Sequence, residues 1–254
     1  MFLPSVFPSS LVVTIMAGGE GKRMRSDLPK VLHLFKGRPM LVWVIEAAMG
    51  LCPEKIVVVT GRFHEMIIRS LSEYFDIFGI IFVQQQTPQG TGDAINQCLR
   101  FFTQTDRVLI LNGDMPLVTK EILGEFIQKA KTECVVLSTV LENPTGYGRI
   151  IAPDFVLEKI VEERDATTEQ RAICQVNAGI YFIRSDVLHT YIPLISNKNA
   201  QKEYYLTDIV QLIYEYPTGS RVSTVLIEDS QSLRGINTPE ELSSLSLVYN
   251  EYYK

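Results

Sequence analysis

Paired or metal-spaced cysteines are missing from this chain. Its four cysteines, Cys52, Cys98, Cys134 and Cys174, stand 36 to 46 residues apart and form no CxxC pair. That spacing excludes a zinc ribbon or a dithiol redox centre. Apolar neighbours make all four small core residues by expectation, in keeping with a reducing compartment. Histidine is scarce as well: His33, His64 and His189 are scattered, read as structural or surface residues, and support no Ser/His/Asp triad. Basic excess is absent, since 24 Lys and Arg against 29 Asp and Glu leave a net charge of −5. A general nucleic-acid binder would show a basic face, whereas a small anionic ligand needs only a local cluster of cations. No apolar run has the length of a membrane span. The opening "MFLPSVFPSS" has no basic n-region and two prolines, so a cleaved signal peptide is not expected either. What is left is a soluble, cytoplasmic protein of ordinary globular composition, 46% hydrophobic and 21% charged over 254 residues.

Apolar runs and amphipathic stretches alternate through the first half. "LVVTIM" (11–16) predicts a buried strand, "PMLVWVIEAAMG" (39–50) a helix and "KIVVVTG" (55–61) a second strand. A helix over 63–74, a strand over 79–84, a helix over 93–102 and a strand over 107–114 follow. Residues 119–131 place Ile122, Leu123, Phe126, Ile127 and Ala130 on one helical face. Repeated β-α units of this length imply a parallel sheet covered on both sides. After Cys134 the rhythm changes to "CVVLSTVL", "GRII", "LEKIVEE" and "NAGIYFI", strand-like pieces that fit mixed or antiparallel strands extending the sheet into a second lobe. A helix near 206–216 and a strand near 222–228 come next. Thr238-Pro239-Glu240-Glu241 then opens the last helix, with Thr238 as N-cap and Glu241 as capping-box partner. No repeat or linker divides the chain, which predicts one α/β unit: a mostly parallel, Rossmann-like mixed sheet flanked by helices, with a smaller β-rich lobe.

The stretch "IMAGGEGKRMRSDLPK" (15–30) puts Gly18, Gly19 and Gly21 with Lys22, Arg23, Arg25 and Lys30 directly after the first strand. It is not a Walker loop, because Arg23 follows Gly21-Lys22 and Met16 stands where the first glycine is needed. It is not the dinucleotide GxGxxG either, because Met24 takes the third glycine's place. A glycine turn at the carboxyl end of a strand lets backbone N–H groups approach phosphate oxygens. A solvated basic loop is the bland alternative, but "SDLPK" fixes Lys30 just behind a proline and favours a loop built for a polyphosphate.

From here the sequence resembles the sugar-1-phosphate nucleotidylyltransferases. Within them it is most similar to the uridylyltransferase domain of the bacterial N-acetylglucosamine-1-phosphate uridyltransferases. The opening "AGGEGKRMRSDLPKVLHLFKGRPML" carries the resemblance, and "QGTGDAI", "NGDMPL", "NPTGYGRII", "IVEERDAT", "VNAGIYFI", "AQKEYYLTDIV" and "RGINTPEEL" extend it in the family's order over roughly 11–245. It implies transfer of uridylyl from UTP to N-acetylglucosamine 1-phosphate, with Mg²⁺ as cofactor and pyrophosphate as the other product. Such chemistry needs positioning and charge neutralisation rather than a covalent nucleophile.

The resemblance also assigns roles. Ala17, Gly18, Gly19 and Gly21 would contact the nucleotide, and Arg23 and Lys30 its phosphates. Gln85, with the Gly90-Thr91 turn, would read uracil. Gly113, beside Asp114 in "NGDMP", would contact substrate; Asp114 and Asn237 would be the metal ligands. Read without the family, Gly113-Asp114 could equally be a turn and Asn237 a turn residue before the Thr238 cap. Gly148, Glu162 and Asn177 would hold the sugar, although "VEERD" on its own reads as a solvated charge run. Asp208 in "EYYLTD" could flank the sugar pocket or cap the following helix. By halves, 11–133 would bind the nucleotide, 134–237 the sugar, and 238–254 form the C-terminal helix.

Three departures from the family pattern matter. Lys22 replaces the usual threonine of Gly-Thr-Arg-Met and would add a cation beside the phosphates. Asn112 stands where an aromatic commonly precedes Gly-Asp, at the edge of the sugar site. No hexapeptide repeat of a left-handed β-helix is present, which leads to the expectation of no acetyltransferase activity and no trimer of that kind. A monomer or weak homo-oligomer, served by a separate acetyltransferase, would be the consequence. Another sugar 1-phosphate such as glucose 1-phosphate, a cofactor precursor as in molybdopterin guanylyltransferases, or a non-catalytic nucleotide-sugar-binding regulator are the alternatives.

Overall fold

The computed structural model describes residues 10–252. The first strand, β1 (Leu11–Met16), is buried along nearly its whole length, as an apolar run must be when helices cover both faces of a sheet. A short hairpin of β2 (Leu34–Phe35) and β3 (Arg38–Pro39) leads into helix α1 (Met40–Met49). β4 (Lys55–Thr60), α2 (His64–Leu71), β5 (Ile80–Gln84), α3 (Thr91–Cys98), β6 (Arg107–Asn112) and α4 (Lys120–Lys129) continue the expected alternation. Beyond them lie β7 (Cys134–Val140), β8 (Arg149–Ile151), β9 (Lys159–Val161), the one-turn α5 (Thr168–Arg171) and β10 (Gln175–Arg184). The chain ends in α6 (Ser185–Tyr191), α7 (Asp208–Glu215), β11 (Val222–Leu226) and α8 (Pro239–Tyr252). The hairpin, α5 and α6 were not expected; each is too short for periodicity to separate helix from strand or loop.

The main sheet runs β11-β7-β10-β6-β1-β4-β5. β5, β4, β1 and β6 are parallel, β10 is antiparallel between β6 and β7, and β11 is parallel to β7. β8 and β9 form an arm that joins this sheet through β10. Alternate residues of each strand face opposite sides. Val13, Ile15 and Leu109 pack with Leu41 and Ile45 of α1, Ile67 of α2 and Phe126 of α4. Val12, Val57 and Ile110 pack with Ile95 of α3, Leu188 of α6 and Ile209 of α7. Each such buried Leu, Ile, Val or Phe contributes about 1.5–3 kcal/mol. Register aligns Met16 with both Val59 and Asn112, so β1, β4 and β6 end together and release their loops at one edge.

Two details differ from the sequence expectation. Cys98 and Cys134 are buried, and burial pushes both thiols up to about 12. Cys52 and Cys174 are exposed instead, because their apolar neighbours belong to the ends of adjoining elements while the cysteines sit in connecting turns. At the start of α8 the Glu241 N–H donates to Thr238 Oγ1 (3.2 Å), as expected of a cap. The reciprocal bond, however, comes from the Asn237 N–H to Glu241 Oε2 (2.6 Å), one residue earlier than in a standard capping box.

Candidate active site

The loop after β1 starts by prolonging the sheet, with the Ala17 N–H donating to the Val59 carbonyl at 2.7 Å. Gly18 then passes against the Thr60–Gly61 backbone, and Gly19 faces open space. Gly21 adopts a left-handed conformation (φ 62°), and a Cβ there would stand 2.7 Å from Lys30 Cβ. Only glycine lets the loop fold back onto Lys30 in this way. Lys30 follows Pro29 and opens a 3-10 turn anchored by buried Val31 and Leu32, so its ammonium is aimed by packed backbone.

That ammonium forms an ion pair with Asp114 Oδ2 and donates to Asn237 Oδ1 at 3.1 Å. Arg23 Nη2 donates to the same Asn237 oxygen at 2.9 Å. Asn237 arrives from far along the chain because the Ile236 N–H donates to the Asp114 carbonyl (3.0 Å), pinning the segment before α8 to the end of β6. Gly113 closes the corner, its N–H donating to the Met16 carbonyl at 2.9 Å. The other Asp114 oxygen, Oδ1, is buried with no hydrogen-bond partner among the described residues. Among the described residues no three of His, Cys, Asp and Glu gather as a metal cluster. A hard cation that takes few protein oxygens and completes its shell from phosphate and water fits the unused Asp114 Oδ1; the Asn237 amide oxygen, which accepts from both Lys30 and Arg23, would join it where those donors turn to a phosphate. Lys22 does not join this group, since it is largely exposed and ion-paired with Glu20 at 2.8 Å.

The arm of β8 and β9 supplies a second set. A Cβ on Gly148 would lie 3.6 Å from Glu162 Oε1 and 3.7 Å from Asn177 Cβ, so these three residues meet at one point. Glu162 Oε1 accepts from Thr207 Oγ1 at 2.9 Å, and burial holds its carboxyl above the usual range. The carboxylate is therefore a hydrogen-bonded member of a pocket wall, and the solvated-face alternative fails. Asn177 donates from Nδ2 to the Tyr181 hydroxyl (2.7 Å) and accepts at Oδ1 from the Gly179 N–H (2.8 Å). Each end of its amide keeps capacity for one more bond. Buried Arg149 fixes the preceding loop through the Tyr147 carbonyl and an ion pair with Glu163 at 2.7 Å.

A third set lies at the start of α3. Gln85 is buried, and its Nε2 donates to the Gly90 carbonyl (3.2 Å) and to Asp93 (2.5 Å). Its amide oxygen is thereby held as the acceptor end. Thr91 Oγ1 accepts from the Leu206 N–H at 3.0 Å, and the Tyr204 N–H donates to the Gln89 carbonyl at 2.7 Å. The "EYYLTD" segment thus runs along this turn.

One cavity of about 550 Å³ joins the three sets; Arg23, Thr91, Asp114, Gly148, Glu162, Asn177 and Asn237 all line it. Lys30, Gly21, Gly113, Ala17, Gly18, Gly19, Gln85 and Gly90 do not line it themselves, although Lys30 bonds the lining residues Asp114 and Asn237, and Ala17, Gly90 and Gly113 adjoin the lining residues Met16, Thr91, Asn112 and Asp114 in sequence. Asn112 lines it too, its side-chain amide against Gly179. Sequence reasoning missed Tyr147, Thr207, Arg234 and Glu241 on the walls. All four lie inside segments that carry the resemblance, but their types alone give no signal. None of the three histidines lines the cavity.

The MobA-like NTP transferase domain matches residues 13–175. The chain belongs to the MobA-like NTP transferase family. Within the matched span of this NTP transferase lie the glycine loop, Gln85, Asp114, Gly148 and Glu162; Asn177 and Asn237 fall beyond it. Curated relatives extend the similarity over those two. The "Probable UDP-N-acetylglucosamine pyrophosphorylase" of Acanthamoeba polyphaga mimivirus is 39% identical over 245 residues, 94% of this chain and 96% of its own length. "Bifunctional protein GlmU" of Nitrosococcus oceani is 43% identical over 242 residues, 94% of this chain and 52% of that protein. The chain thus spans about half the length of the bacterial GlmU relatives it matches. The inositol-1-phosphate CTP transferase of T. maritima superposes with a TM-score of 0.68 at 15% identity, over 94% of this chain and 98% of that one. HddC from Yersinia pseudotuberculosis does so with 0.67 at 19% identity, over 94% and 99%. At such identities these structures establish the shared nucleotidyltransferase fold. Among the described residues no helix is long and apolar enough to cross a membrane.

Proposed function

We propose that this NTP transferase moves the uridylyl group of UTP onto N-acetylglucosamine 1-phosphate, releasing pyrophosphate and UDP-N-acetylglucosamine. The observation that carries this reading is the cavity lined together by Arg23 of the glycine loop, by Asp114 and Asn237, and by Gly148, Glu162 and Asn177, with Lys30 ion-paired to Asp114 at its edge. The name of the mimivirus relative, matched over nearly its whole length, supports the choice of base and sugar.

A phosphate oxygen of the acceptor attacks the α-phosphorus of UTP; the bond to the β-phosphate breaks, and its electrons leave with pyrophosphate. Both reactants are polyanions, so the barrier is lowered by orientation and by cations already in place. Arg23 and Lys30 are assigned to the nucleotide phosphates, where the loop backbone of Gly18, Gly19 and Gly21 would offer N–H donors and Ala17, its own N–H bonded to the Val59 carbonyl, anchors the loop beside the nucleotide. Asp114 and Asn237, with Gly113 allowing the chain to turn, would hold Mg²⁺, which when bound supplies neutralisation of phosphate oxygens. Gln85, its nitrogen committed to Gly90 and Asp93, presents an oxygen suited to the N3–H of uracil. Cytosine has an acceptor at that position and would meet repulsion. Gly90 and Thr91 complete the base site. Glu162 and Asn177 would bond the sugar hydroxyls or acetamide, over the open backbone of Gly148.

Pyrophosphate release measured with Mg²⁺ across UTP, CTP, GTP and ATP, each against N-acetylglucosamine 1-phosphate, glucosamine 1-phosphate and glucose 1-phosphate, tests this. Release confined to UTP with the acetylated sugar is expected. Preference for glucose 1-phosphate would assign another acceptor, and no release from folded, UTP-binding protein would make the chain a regulator.

A further inference from the structure

The cations around the cavity differ in what holds them. Arg23 is bonded to Asn237, Lys30 to Asp114 and Asn237, and Lys22 to Glu20. Arg234 lines the same cavity, yet among the described residues its guanidinium makes no ion pair. A long hydrogen bond of 3.4 Å to the Gln231 side chain is its one tether there. A planar five-donor group is therefore presented to a pocket with its donors almost unused.

Its placement is set by its neighbours. The next residue, Gly235, packs against Asp114, where an added Cβ would stand 3.4 Å from both carboxylate oxygens. The Tyr147 phenol is raised in pKa by burial first, and its surroundings include Arg234, Glu241, Asp114 and the Gly235 backbone. Tyr147 in turn precedes Gly148, where Glu162 and Asn177 meet. Arg234 thus lines the cavity next in sequence to the residue packed on Asp114 and close enough to Tyr147 for its charge to be felt there, on the side of the sugar corner, whereas Arg23 belongs to the glycine loop after β1.

We propose that Arg234 binds the phosphate of the sugar 1-phosphate acceptor and orients its attacking oxygen toward the nucleotide. This rests on the nucleotidyl-transfer reading above. With Arg23 and Lys30 engaged on the nucleotide, the acceptor phosphate, a near-dianion at neutral pH, otherwise meets no cationic side chain of its own. A guanidinium fork matches two phosphate oxygens at once, which fixes direction as well as charge.

Steady-state kinetics of Arg234→Gln and Arg234→Lys in both directions test the assignment. Arg234→Gln is expected to raise the KM for the sugar 1-phosphate roughly 10- to 100-fold, the loss typical of a hydrogen-bonded charge. The KM for UTP should stay where it is. In reverse, the KM for UDP-sugar should rise, because its β-phosphate is the acceptor's, while that for pyrophosphate should not. Arg234→Lys should recover part of the loss, having the charge without the fork. A rise for pyrophosphate equal to that for the sugar substrate would overturn the proposal by placing Arg234 on the leaving group. An active wild type whose Arg234→Gln variant shows an unchanged acceptor KM would refute this assignment alone; a wild type that transfers to no sugar phosphate would sink the underlying reading with it. Thermal melting of each variant separates these outcomes from a folding defect.

Discussion

Asp208 opens α7 facing Glu162 and Asp165. Burial, and then the charges of those two carboxylates, raise its pKa from an ordinary 3.8 to about 6. At about 1.4 kcal/mol per pH unit, that displacement has an upper value of roughly 3 kcal/mol. Asp208 is only partly buried, so solvent screening reduces it. Replacing Asp208 with asparagine also removes a negative charge from a helix N-terminus, a loss of about 0.3–1 kcal/mol. A net gain of about 1–2 kcal/mol for Asp208→Asn remains at alkaline pH. The sign follows from proton binding. Below 3.8 the group is protonated whether the chain is folded or not, so it costs nothing. Between 3.8 and about 6 the folded state holds a proton that the unfolded chain releases, and stability falls as pH rises. Above that window the full cost is present. Urea unfolding of both proteins at about pH 4 and about pH 8 should show the variant ahead only at the higher value. An equal difference at both pH values, or a variant weaker at alkaline pH, would refute the argument.

The alternation of β1 through α4 was legible because fully buried β-branched runs and one-sided helices leave periodic traces that neighbouring residues alone can carry. Asp114 and Gly148 stood out only through the resemblance, carried by the short motifs "NGDMPL" and "NPTGYGRII" around them, because their residue types alone are equally those of turns. What the sequence hides is partnership across long separations. Nothing near Asn237 announces that the Ile236 N–H will bond the Asp114 carbonyl, yet that bond brings the two oxygens together. Glu162 looked like part of a solvated charge run, and only Thr207, 45 residues on, shows that it is bonded within a wall. Cys52 and Cys174 failed in the opposite sense: apolar sequence neighbours do not bury a residue whose own backbone is turning out of an element. Arg149 shows the same limit, since a strand arginine gives no hint that its guanidinium will be buried and bound to backbone carbonyls and Glu163.

Asp114→Asn should lower turnover roughly 100-fold or more at ordinary Mg²⁺, by analogy with removal of one electrostatic group from other catalytic sites. Pyrophosphate release followed against Mg²⁺ concentration reads this, and near-intact activity would remove Asp114 from the metal site. Glu162→Ala should raise the acceptor KM roughly 10- to 100-fold, and an equal loss for UTP would take Glu162 out of the sugar corner. Gly90→Ala should damage both halves at once. Gly90 has φ 112° and ψ 175°, a region essentially reserved for glycine that costs another residue about 1–3 kcal/mol. The new Cβ would also stand 2.5 Å from the Tyr204 carbonyl oxygen and 2.8 Å from its nitrogen, contacts with backbone that rotamer changes cannot relieve. The 203–206 loop segment must then shift, and with it the Leu206 N–H that holds Thr91 and the Thr207 hydroxyl that holds Glu162. Lower thermal stability together with raised KM values for both UTP and the sugar phosphate is expected. A variant that melts like the wild type but binds both substrates normally would show that this turn is not the rigid link between the base and sugar sites.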